Sequence, residues 1–150
     1  MARYNLPMVK DYGKEGQDSS LREEEHGDCT VRSLMNSMNV SYNYAHEILR
    51  LAGRKNGKGF YMTEFLHKCM DGNSLVGYYL KEMHFQNWYP GAKMTIRKFV
   101  EKYNKGRFIV IRKGHAFAVI DGVIHDSTWN TPNMWIHHAF RVVEPQPIEE

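Results

Sequence analysis

The chain is poor in cysteine and in long apolar runs, and each shortage removes a class of protein. Cys29 and Cys69 are the only cysteines in 150 residues. At most one bridge can form, so a disulfide-stapled scaffold is excluded. No apolar run approaches the ~20 residues that span a bilayer. Residues 1–7 also lack the apolar stretch of a signal peptide. The expectation is a cytoplasmic protein without a membrane partner. No internal repeat or dividing linker is visible. What remains, 42% hydrophobic and 25% charged, is ordinary globular usage for one domain.

Charge is unevenly spread. Residues 1–30 carry four basic and seven acidic side chains, a balance of −3, and Glu23-Glu24-Glu25 stand just ahead of Cys29. Residues 54–113 carry thirteen basic and four acidic side chains, a balance of +9. Such a block can steer an acidic partner, although solvated helix faces give the same pattern. Aromatics interleave with Lys81, Lys93, Arg97 and Lys98 without any nucleic-acid motif, so nucleic acid is not the expected partner.

Residues 1–26 are polar and aperiodic and read as an N-terminal arm, with one domain over 27–150. Asp28 stands where it can cap a first helix, in which Val31, Leu34, Met35 and Met38 make one apolar stripe ending at Asn39. Ser41 opens a second helix with Ala45, Ile48, Leu49 and Ala52 on one face, closed by Gly53. Thr63 heads a third with Phe65, Leu66, Cys69 and Met70, and Thr95 a fourth with Ile96, Phe99, Val100 and Tyr103. The period then changes to two. Residues 107–112, 115–120, 123–127 and 135–143 read as strands, and Asp121-Gly122 is a strong hairpin turn. Helices followed by a small antiparallel sheet give an α+β class.

Cys29 falls at the first position of the first helix, where the helix dipole and unpaired N–H groups favour a thiolate. That position alone does not separate a nucleophile from an inert cysteine. The hairpin adds a second signal. A two-residue turn at 121–122 pairs Ile120 with Val123, which places His115, Phe117, Asp126 and Thr128 on one face. Asp126 is then the diagonal neighbour of His115, while His125 faces away. A carboxylate-held imidazole near a cysteine at a helix start is the arrangement of a thiol nucleophile. A core histidine bonded to an acid would share the hairpin geometry. His125, Asp126, His137 and His138 lack metal-ligand spacing, so neither a metal nor another cofactor is expected. Cys69, on its helix's apolar face, reads as core.

Residues 27–34, Gly-Asp-Cys-Thr-Val-Arg-Ser-Leu, resemble the nucleophile helix of papain-like cysteine peptidases. More narrowly they resemble short proteins of bacteria and tailed phages with an Asp/Asn-Cys-x-x-Arg-Ala/Ser-Leu start. Residues 114–127 resemble the matching His and Asp strands. The resemblance spans roughly residues 26–130 and implies a papain-like fold, with Cys29 as nucleophile, His115 as base and Asp126 as orienting acid. It implies a thiol hydrolase of peptide, isopeptide or other amide bonds, acting on a protein or peptide in the host cytoplasm if phage-encoded. Papain-like enzymes place a Gln shortly before the Cys for the oxyanion. Here the nearest is Gln17, which reaches only if the arm folds back, and Glu23-Glu24-Glu25 would raise the thiol pKa if they faced it. The same fold without strong activity would be a binding module, an inhibitor or adaptor acting on a host protein. Trp129, close after Asp126, is expected to shield the His–Asp pair. Residues 88–91, Trp-Tyr-Pro-Gly, are expected to form a loop bordering a cleft.

Overall fold

The apolar stripe of Val31, Leu34, Met35 and Met38 folds as α1 (Cys29–Met38), with all four side chains buried. In this computed structural model, which describes residues 6–10, 28–55, 66, 79–83, 94–126 and 130–143, Asn39 ends the helix at φ 53. Asn tolerates that left-handed conformation better than most residues do. The Ser41 hydroxyl accepts from the Tyr44 N–H and opens α2 (Tyr42–Leu51). Its buried face is Tyr42, Ala45, His46 and Leu49. Ile48 is only partly buried and Ala52 is exposed, so the face is rotated from the expected one toward its larger rings. The Thr95 hydroxyl accepts from the Lys98 N–H at the head of α3 (Ile96–Lys102), which buries Ile96, Phe99 and Val100. Of the helix expected after Thr63, Leu66 is helical and buried; Thr63, Phe65, Cys69 and Met70 lie outside the described residues.

Among the described residues six strands form one sheet: β1 (Met8–Lys10), β2 (Tyr79–Glu82), β3 (Arg107–Arg112), β4 (His115–Ile120), β5 (Val123–Asp126) and β6 (His138–Val143). Their order is β1-β5-β4-β3-β6-β2, antiparallel except for the β1–β5 pair. The α+β class therefore holds. Two details differ from the expected order. Part of the N-terminal arm is an edge strand, parallel to β5 with Met8 opposite Ile124. A second edge strand, β2, falls between the helices in sequence and pairs with β6. The last strand begins at His138, because Trp135 makes only an isolated bridge to Thr95.

Side chains alternate across the sheet and fill two cores. On one face Ile109, Ala116, Phe140 and Val142 pack against α1 and α2. On the other, Phe108, Val110, Phe117, Val119 and Ile124 pack with α3, Ile136 and Leu6. Burial of both faces explains why 107–111 and 116–120 are nearly unbroken apolar runs. No described helix is long and apolar enough to cross a membrane.

The β4–β5 turn fixes the register. Asp121 and Gly122 have φ 49 and 78, the two positive values that a type I′ hairpin turn requires. Asp121 donates its N–H to the Gly106 carbonyl and accepts the Gly106 N–H on Oδ1, both at 2.9 Å. A Cβ on Gly122 would stand 3.2 Å from Asn104 Cβ, whereas one on Gly114 (φ 71) meets nothing within 4 Å. Gly114→Ala should therefore lose only the backbone preference, about 1–2 kcal/mol. Gly122→Ala should lose more. Urea denaturation with unchanged slope is the check, and equal losses would refute the steric contribution.

Candidate active site

Cys29 is the first residue of α1, and Asp28 occupies the N-cap position with φ −94 and ψ 23. The expected cap does not form: the Asp28 side chain accepts no first-turn N–H. Its Oδ1 accepts from Arg32 Nε at 3.1 Å and its Oδ2 from the Tyr42 hydroxyl at 2.8 Å. A guanidinium one turn along and a phenol from α2 hold the carboxylate more firmly than neutral amides do. The Asp28 carboxylate is thus taken up by Arg32 and Tyr42, and no side-chain oxygen of Asp28 caps the helix N-terminus at Cys29.

His115 opens β4 opposite Arg112, the last residue of β3. The pairs Ile120–Val123, Val119–Ile124 and Ala118–His125 are as expected. Asp126 accordingly shares a face with His115, and its Oδ2 lies 2.6 Å from His115 Nε2. Phe117, two residues along the strand, stacks on the imidazole at 6.2 Å and 26°. The Cys29 thiol is hydrogen-bonded to His115 and to the backbone of Ala116. With Nε2 committed to Asp126, Nδ1 is the nitrogen left for the thiol. Sequence distance is large, but Cys29, His115 and Asp126 are brought together.

Electrostatics favour an ion pair. Burial pushes the Cys29 thiol up, but the His115 hydrogen bond, the Ala116 backbone bond and the imidazolium charge together hold it below its ordinary value, against the Asp126 charge. Burial likewise opposes charge on His115. Hydrogen bonds to Asp126 and Cys29, with their charges, win and raise it to about 9. A raised histidine stabilises the fold fully below about 6.5 and loses that contribution as pH rises through about 9.

Asn130 is a member of the site that sequence reasoning missed. It is buried, donates Nδ2 to Asp126 Oδ2 at 2.8 Å, and accepts Arg112 Nε on Oδ1 at 2.8 Å. Arg112, Asn130, Asp126 and His115 form a loop closed by the β3–β4 pairing. An amide four residues after the acid, in a stretch without periodicity, left no signal in the sequence. Gln17, Glu23-Glu24-Glu25, Trp129 and residues 88–91 lie outside the described residues. His125, adjacent to Asp126 on the strand, faces the opposite way. Among the described residues no three His, Cys, Asp or Glu side chains gather as a metal-binding group. Comparison with protein-family models, curated proteins and solved structures found no match.

Two substitutions test the arrangement. Asp126→Asn removes the charge while burial and the Cys29 contact remain, so the His115 titration midpoint should fall below about 9. Imidazole NMR reads it directly; a midpoint still near 9 would mean that Cys29, not Asp126, holds the proton on His115. Asn130→Ala leaves Asp126 one donor short and Arg112 Nε unanswered. It should cost about 1–3 kcal/mol of unfolding free energy, measured by urea melts, and a loss under about 0.5 kcal/mol, the level of a neutral surface change, would show that water replaces the amide.

Proposed function

We propose that this chain is a papain-like thiol hydrolase that cleaves a peptide, isopeptide or other amide bond through a Cys29 thioester. The reading rests on one observation: a thiol at a helix start is hydrogen-bonded to an imidazole whose other nitrogen lies 2.6 Å from a buried carboxylate. The resemblance of residues 27–34 and 114–127 to such peptidases supports it, and its narrower form suggests a phage-encoded protein acting in a host cytoplasm.

The chemistry follows from the geometry. The Cys29 thiolate attacks the amide carbon, and the α1 N-terminus, including the Cys29 N–H, meets the oxyanion. Collapse breaks the C–N bond, and the leaving nitrogen takes its proton from the His115 imidazolium. Neutral His115 then deprotonates a water that attacks the thioester. The acid product leaves, and the proton returns His115 to its charged form beside the thiolate. Asp126 keeps the imidazole oriented and stabilises its positive form; Asn130 and Arg112 keep Asp126 in place.

The test is the pH dependence of Cys29 alkylation by iodoacetamide, read by mass spectrometry. An ordinary thiol is a few per cent thiolate at pH 7. An ion-paired Cys29 holds more thiolate and returns part of that gain in lower nucleophilicity, a net gain of about threefold. The rate should be high at neutral pH and change again near 9 as His115 loses its proton. In His115→Ala the midpoint should return to ~8.5 or above. Cys29→Ala should abolish turnover with the fold intact. An ordinary midpoint in both wild type and His115→Ala would overturn the hydrolase and leave a binding module on the same scaffold.

A further inference from the structure

A pocket of about 440 Å³ is lined by Arg112, Lys113, Asn133, Met134, Trp135 and His137. Its size is within the range of ligand pockets. It adjoins the site through Arg112, which faces His115 across the β3–β4 ladder and holds Asn130. Its wall is tied down by backbone bonds. The Met134 carbonyl accepts the Ile96 N–H at 3.0 Å, Ile136 donates to Met94 at 2.9 Å, and His137 donates to Ile111 at 2.8 Å. The main chain on both sides of Trp135 is therefore fixed, and the residue is 53% exposed, an unusual position for so large an apolar ring.

The lining has a definite chemistry. Arg112 and Lys113 are cationic, Met134 and Trp135 are apolar, and none of these lining residues is acidic. We infer that this pocket binds the part of a peptide or protein substrate that flanks the reacting carbonyl, and that it selects an acidic residue next to a large apolar one. The inference rests on the thiol-hydrolase reading, which supplies a carbonyl substrate at Cys29. Cations beside an aromatic ring also suit single-stranded nucleic acid. A peptide fits better, because the cations are gathered in one pocket beside a carbonyl-reactive site and do not track along a groove.

Binding can be read apart from catalysis by using Cys29→Ala protein. Fluorescein-labelled Gly-Glu-Phe-Glu-Gly and its Gly-Lys-Phe-Lys-Gly counterpart are titrated by fluorescence polarisation. The acidic peptide should bind at least ~tenfold more tightly, a difference of about 1.4 kcal/mol. Lys113→Glu and Trp135→Ala should each reduce that binding severalfold. Lys113 is exposed, so its variant tests the idea even if the tryptophan variant folds poorly. Equal binding of the two peptides, no binding of either, or unchanged binding in Lys113→Glu would overturn the inference. So would a short oligothymidylate that displaces the acidic peptide and binds more tightly. Failure here with an activated Cys29 thiol removes the pocket and keeps the hydrolase; binding with an ordinary thiol does the reverse.

Discussion

The register of the β4–β5 hairpin is the constraint on which the site depends. Strand side chains alternate, so a slip of one residue would carry Asp126 to the opposite face and bring His125 toward His115. Two positive φ values at Asp121 and Gly122, with Asp121 locked to Gly106 just ahead of β3, exclude that slip. Phe117, Val119 and Ile124 reinforce the register, since each is buried against α3 and its neighbours only in this pairing. The turn thus selects the partner of an imidazole at the far end of the hairpin. The selection is geometric before it is electrostatic.

A buried carboxylate such as Asp126 is costly to desolvate, and its retention needs several strong partners. The structure provides an imidazole and an amide on the same oxygen, with Arg112 behind the amide. Removing one partner takes away part of what offsets the burial of that carboxylate. The same logic applies at Asp28, whose two oxygens are taken by Arg32 and Tyr42. That arrangement ties α2 to the start of α1. Each acid is held by named partners: Asp126 orients the imidazole beside Cys29, and Asp28 joins two helices.

Local periodicity made much of this legible in the sequence. The stripe of α1, the Ser41 and Thr95 caps, the helix end at Asn39 and the Asp121-Gly122 turn are all consequences of nearest neighbours, and the structure has each of them. Hairpin parity even carried the His115–Asp126 contact, because a two-residue turn leaves only one pairing. The misses are non-local. β1 and β2 are edge strands of three and four residues, too short for alternation to register, and their partners are far along the chain. Asp28 has a capping residue's identity, but Tyr42, fourteen positions away, decides its role. Asn130 has no periodic context at all, so only the folded chain reveals that it bridges Arg112 to Asp126. The papain-like fold, by contrast, is carried by the resemblance of two motifs and remains part of the proposal.

Arg112 shows how closely the two halves of this region are joined. Its guanidinium presents five donors in a rigid planar fork. One of them, Nε, is given to Asn130 and so reaches Asp126 and His115, while the same side chain lines the pocket beside Trp135. A lysine would offer a single mobile ammonium, and an anion in the pocket would compete with Asn130 for it. The fork lets the outer nitrogens meet a negative group while Nε stays on the amide. On the proposed reading, a charge entering the pocket is bound without loosening the carboxylate that orients the imidazole, so substrate recognition and imidazole orientation share Arg112 without competing for the same donor.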